Sequence, residues 1–66
     1  MIKNLKELKV ELKRLGAKID GENINNSGRR KIAYTSTGIK LYCFKIGGFW
    51  DIETEMQYYD RLENGY

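Results

Sequence analysis

The chain reads as an α+β domain: an N-terminal helix packed on a three-stranded antiparallel meander, then a short C-terminal helix. Three observations predict this. Leucines repeat at helical spacing over residues 5–15. Residues 31–52 (KIAYTSTGIKLYCFKIGGFWDI) hold nearly all the β-branched and aromatic strand formers, divided by Thr37-Gly38 and Gly47-Gly48. Thr54-Glu55-Met56-Gln57 then has the form of a capping box, which opens a helix.

The first helix is predicted over Leu5 to Leu15. Asn4 is an N-cap residue with Glu7 three positions on, a second capping box in form. Leu5, Leu8, Leu12 and Leu15 fall on one stripe, which is the core-facing side. Gly16 supplies the stop, and Lys13 and Arg14 suit the negative end of the helix dipole. Val10 lies opposite the stripe among Lys3, Lys6, Lys13 and Arg14, and single exposed apolar residues are ordinary.

Ala17-Lys18-Ile19 is a short extended segment or an edge strand, outside the count of three. Asp20 to Arg30 is rich in turn formers and reads as a loop. A small hairpin closed by Asp20-Gly21 requires both Ile19 and Ile24 to be anchored.

Gly47-Gly48 suits a two-residue type I′ turn, which needs positive φ at both positions. Thr37-Gly38 is the weaker turn, because threonine resists positive φ. Two-residue turns at both places pair Tyr34 with Leu41, Ile32 with Cys43, and Cys43 with Ile52. One face then holds Ile32, Tyr34, Ile39, Leu41, Cys43, Trp50 and Ile52. The other holds Lys31, Ala33, Thr35, Lys40, Tyr42, Phe44, Ile46 and Phe49. The first face is the expected core. A slip of one residue in either turn would re-sort the faces.

The second helix is predicted over Glu55 to Glu63, ending at Asn64-Gly65. The competing reading carries the sheet on through Glu55 to Tyr59.

Sixty-six residues make one domain. So small a chain buries only about 60% of its unfolded surface, so its stability is expected to be marginal or helped by a partner or by self-association. Cys43 is the sole cysteine, which excludes an internal disulfide and fits a reduced core residue in the cytoplasm. No apolar run approaches the ~20 residues of a membrane span, and the N-terminus does not read as a signal peptide. Lysine, isoleucine, asparagine and tyrosine are abundant and proline is absent, the bias of AT-rich coding sequence in low-GC bacteria and their phages.

The net charge of +3 is polarised. Residues 1–19 carry six basic and two acidic groups; residues 49–66 carry one basic and five acidic. Such polarity suits electrostatic steering towards a charged partner.

Catalytic chemistry is not expected. Histidine, the commonest general base and metal ligand, is absent. One cysteine cannot make a zinc site of the usual kinds, and as a nucleophile it would have no histidine beside it. Asp51, Glu53 and Glu55 lead into a helix start, where carboxylates are expected for the dipole alone. No cofactor or metal is anticipated.

Two functions of different class follow. The first is a non-enzymatic module that docks on another protein, as an inhibitor or adaptor of phage or mobile-element type. A nucleic-acid-handling protein is a suitable target, since an acidic, Tyr-rich segment could occupy a basic channel. Its binding residues are expected to be Trp50, Asp51, Glu55, Tyr58 and Tyr59, on the rule that Tyr, Trp and Arg dominate interface energies; Tyr34, Tyr42 and Tyr66 add to the aromatic content. The alternative is nucleic-acid binding through the sheet, with Tyr42 and Phe44 stacking on bases, Lys31 and Lys40 interleaved, and Arg29 and Arg30 on phosphates. The five carboxylates after Phe49 would repel a phosphate backbone, which favours the protein partner.

Overall fold

The structure is a computed structural model, and it describes residues 1–64. Gly65 of the predicted helix stop and Tyr66 lie outside the described residues. Helix α1 spans Leu5–Arg14. Strands β1 (Ala17–Ile19), β2 (Arg30–Thr35), β3 (Lys40–Ile46) and β4 (Phe49–Thr54) follow, and helix α2 spans Glu55–Glu63. The strands form one antiparallel sheet in the order β1-β2-β3-β4. The class is α+β as the sequence predicts, but with four strands rather than three. Ala17-Lys18-Ile19 is the fourth, at the edge beside β2.

Helix α1 begins where predicted. The Asn4 side chain accepts the Glu7 N–H at 2.8 Å. The reciprocal arm of the box shifts by one residue: Glu7 accepts the N–H of Lys3 rather than that of Asn4. Leu15 caps the helix, and Gly16 turns the chain at φ +74°, where a Cβ would be strained. Of the four stripe leucines, Leu8 and Leu12 are buried; Leu5 and Leu15, at the helix ends, stay partly exposed.

The β3–β4 turn is as predicted. Gly47 and Gly48 have φ +58° and +84°, Ile46 pairs with Phe49, and Cys43 pairs with Ile52. The β2–β3 turn is not. Tyr34 pairs with Lys40 and Ile32 with Tyr42, one position from the expected register. The loop is three residues, Ser36-Thr37-Gly38, closed by Thr35 N–H to Ile39 C=O at 2.9 Å and Gly38 N–H to Thr35 C=O at 3.0 Å. Within this loop only Gly38 takes positive φ, at +86°, and among the described residues no non-glycine residue does so. A two-residue turn would have pushed Thr37 there, so the chain inserts one residue and keeps glycine at the left-handed position. A one-residue shift turns every β2 side chain over. Ala33 joins the α1 face, and Ile32 and Tyr34 pass to the other.

The core lies between α1 and the sheet: Leu8, Leu12, Ala33, Leu41, Cys43 and Trp50, with Ile2, Ala17, Ile19 and Ile52 packed against it. Among the described residues no polar or charged side chain is buried. Burial pushes the Cys43 thiol up to about 11.

The loop between β1 and β2 is tied in by Asn26. Its side-chain amide donates to the Asp20 carbonyl and accepts the Ile32 N–H at 2.7 Å. It thus bridges two backbone groups that would otherwise face each other across the ladder. Ile24 is 95% exposed, so the hairpin that required it as an anchor does not form.

Candidate partner-binding surface

Helix α2 crosses the sheet face opposite α1. Its start is fixed by a full capping box: the Thr54 side chain accepts the Gln57 N–H at 3.2 Å, and the Gln57 side chain accepts the Thr54 N–H at 3.0 Å. The helix therefore leaves β4 in a tight reversal and folds back over β3 and β4. The reading that continued the sheet through Glu55 to Tyr59 is overturned.

Alternation puts Tyr42, Phe44 and Ile46 of β3, and Phe49, Asp51 and Glu53 of β4, on this face. Tyr58 of α2 stacks on Tyr42, with centroids 4.3 Å apart and planes at 21°. Tyr59 meets Tyr58 edge-on at 5.5 Å. The Arg61 guanidinium lies 5.3 Å from the Phe44 ring and 5.6 Å from that of Tyr58, and bonds Glu53 at 2.8 Å. Lys40 sits 5.1 Å from the Tyr42 ring and 3.8 Å from Glu55 Oε2. The Tyr42 hydroxyl beside it raises the Lys40 ammonium above its usual value. Burial, helped by the Tyr59 hydroxyl, pushes the Tyr42 phenol up, with Lys40 opposing.

These contacts decide where the anticipated residues stand. Tyr58 is half-buried against the sheet, and Tyr59 is exposed on the helix. Asp51 is exposed, its carboxylate accepting the Ile52 N–H at 2.9 Å. Glu55 is engaged with Lys40 and with the Tyr42 hydroxyl at 3.4 Å. Trp50 must be corrected. It is 6% exposed in the core under α1, on the far side of the sheet from Tyr58, so its ring offers nothing to a partner. The aromatic–cationic set for nucleic acid is also divided. Lys31 pairs with Cys43 and lies on the α1 face, because the β2 register shifted. Tyr42 and Phe44 do share a face with Lys40, but Tyr58 and Arg61 lie over their rings. Arg29 and Arg30 are exposed at the start of β2.

Residues outside the anticipated set form an apolar rim around α2. Ile46 is 65% exposed, Met56 82% and Leu62 51%, and Phe49 is also exposed. A cleft of about 310 Å³ between β3 and α2 is lined by Tyr42, Phe44, Ile46, Tyr58, Arg61 and Leu62, together with Arg30 of β2, which pairs with Phe44 and so joins the two rings on this face. The signal for Ile46 and Phe49 was the Gly-Gly turn itself: side chains flanking a projecting hairpin end have little above them to pack on. A larger cleft of about 640 Å³ opens on the α1 side, with Met1, Ile2, Leu15, Ile39 and Ile52 in its wall. Its two carboxylates are already engaged: Glu11 with Arg14, which lowers its titration, and Asp51 with the Ile52 N–H.

Among the described residues no group of three or more His, Cys, Asp or Glu side chains is placed to hold a metal ion, and no helix is long and apolar enough to cross a membrane. No family model matches the chain, and neither a curated protein nor a solved structure matches it.

Proposed function

We propose that the chain is a binding module that docks on another protein through the α2 side, as an inhibitor or adaptor. The observation that carries this is the exposure of Ile46, Phe49, Met56, Tyr59 and Leu62 around a helix that fully buries none of its own side chains. Apolar surface rimmed by charge marks association sites on small soluble domains. The rim is acidic on one side, with Asp51, Glu55, Asp60 and Glu63. That composition favours a basic surface on the partner, such as the channel of a nucleic-acid-handling protein. Direct base stacking has less support, since Tyr58 and Arg61 already occupy the ring faces of Tyr42 and Phe44.

The test is an affinity capture from nuclease-treated host lysate with wild-type protein and a Tyr59→Ala/Leu62→Ala variant. A stoichiometric protein partner that the variant loses, with its melting temperature unchanged, supports the reading. Full retention by the folded variant overturns it. A salt-sensitive shift of mixed-sequence oligonucleotides by the isolated protein would favour nucleic acid instead.

A further inference from the structure

The two edges of the sheet are finished differently. On β4 the register turns the N–H groups of Trp50, Ile52 and Thr54 outward, and each has an acceptor. Trp50 donates to the Ile2 carbonyl at 2.7 Å, Ile52 to the Asp51 side chain at 2.9 Å, and Thr54 to the Gln57 side chain at 3.0 Å. That edge is closed to a further strand.

On β1 the ladder uses the even positions: Ser36 donates to the Gly16 carbonyl and Asp20 to the Ile32 carbonyl, and Lys18 is paired with Tyr34. The N–H and C=O of Ala17 and Ile19 therefore face away from the sheet. No other segment among the described residues pairs with them. Beside this edge, between α1 and β1, runs a groove of about 500 Å³ lined by Lys9, Leu12, Lys13, Ala17, Lys18 and Ile19. Its floor is apolar, Lys9 and Lys13 stand on its α1 wall, Lys18 alternates to the opposite face of β1 at its rim, and no carboxylate lines it. Lys9, Lys13 and Lys18 are exposed and in no ion pair among the described residues. The nearest carboxylates along the chain are directed elsewhere: Glu11 holds Arg14, and Asp20 accepts the Glu22 N–H.

We infer that the β1 edge accepts an extended acidic segment of a partner protein as a fifth strand. The unpaired backbone of Ala17 and Ile19 would supply main-chain bonds, the groove floor would take alternate apolar side chains, and the three lysines would hold the intervening carboxylates. Charge selects this occupant over a second copy of the chain. Two such edges would bring six lysines together, and edge lysines are a recognised guard against self-pairing. The inference goes beyond docking on the α2 side and does not depend on it, since the two surfaces share no residue.

A capped octapeptide alternating valine and glutamate is the probe, titrated into the isotope-labelled chain and followed by amide spectra and hydrogen exchange. The expected result is saturable shifts centred on Ala17 to Ile19, slowed exchange at the Ala17 and Ile19 amides, and binding about tenfold weaker in a Lys9→Gln/Lys13→Gln/Lys18→Gln variant. A peptide N-methylated at alternate backbone positions should not bind. Equal binding of the methylated peptide would overturn strand addition. So would equal shifts at these amides with an oligonucleotide, which would make the site a general polyanion patch, or exchange protection of both amides in the free protein as a dimer. Absence of shifts at Ala17 to Ile19 would overturn it outright. The Tyr59→Ala/Leu62→Ala variant should give the same titration as wild type, so loss of the α2-side reading leaves this result unaffected.

Discussion

On the α1 side of the sheet, Leu8, Leu12, Ala33, Leu41, Cys43 and Trp50 close into one apolar cluster with no buried polar side chain. On the α2 side Ile32 alone among the described residues is fully buried, and the covering helix contributes no fully buried residue. The first helix is held by burial, the second by a stack of rings, a guanidinium bridge to Glu53 and a capping box. Burial is non-directional and scales with area. A ring stack is worth about 0.5–1.5 kcal/mol and an exposed ion pair about 1 kcal/mol or less. One sheet therefore separates two tasks: the α1 face carries stability, and the α2 face keeps apolar surface available.

Substitution of Leu12 by alanine should break this contrast most visibly. Truncating a buried leucine costs about 2–5 kcal/mol, and a chain this size has only roughly 3–10 kcal/mol in total. Leu12→Ala should therefore lose about half of its stability and melt far below wild type by circular dichroism. A variant that melts like wild type would mean that the α1 cluster is not the stabilising core.

Titration at Cys43 probes the same cluster without a cavity. In the folded state the thiol keeps its proton to about 11, against an ordinary value of 9.0. Above pH 9 the unfolded chain therefore binds fewer protons than the folded one. The contribution is intact below that point and is lost as pH rises from about 9 through about 11, by up to roughly 3 kcal/mol. Lysines and tyrosines titrate in the same range, so the comparison is with Cys43→Ala. The difference between the two urea-unfolding free energies should shrink over this interval, and a pH-independent difference would mean that Cys43 is not desolvated.

Asn26→Ala removes a side chain that satisfies the Asp20 carbonyl and the Ile32 N–H together. Leaving part-buried backbone groups unpaired costs about 1–3 kcal/mol. Exchange should quicken at Ile32 while the Cys43 amide is spared. A silent substitution would show that water replaces both bonds.

What could be read from the sequence follows the same division. Local rules found α1, because a cap, a leucine stripe and a stop glycine lie within thirteen residues. They found α2 from Thr54 and Gln57, and the β3–β4 turn from two adjacent glycines. They failed at Thr37-Gly38, where one glycine is compatible with a two- or a three-residue loop. That single choice moved Ala33 into the core and took Lys31 away from Lys40 and Tyr42. β1 was left uncounted because three residues carry almost no periodicity and its partner lies beyond a ten-residue loop. Trp50 was misjudged for another reason: the β3–β4 register already placed it on the core face, but the enrichment of tryptophan at interfaces was weighed above that placement. The layering of Tyr58 over Tyr42 joins residues sixteen apart and depends on the angle at which α2 leaves β4, which no local pattern encodes.

The smallest expected effect belongs to that stack. Tyr58→Ala deletes the ring against Tyr42 but leaves the Arg61–Glu53 bridge, the Lys40–Glu55 pair and the Thr54–Gln57 box, so α2 keeps most of its attachments. An aromatic pair contributes about 0.5–1.5 kcal/mol beyond its area, and the loss should be near 1 kcal/mol. Tyr58→Phe keeps the ring and should be neutral. The loss should also be local. Amides of α2 would exchange faster, while those of Leu8, Leu12 and Cys43 would change only by the small global shift. Equal acceleration on both sides would mean that the two faces unfold as one unit. In that case α2 would be part of the stabilising core, and the apolar residues around it would be its unfinished edge rather than a surface for a partner.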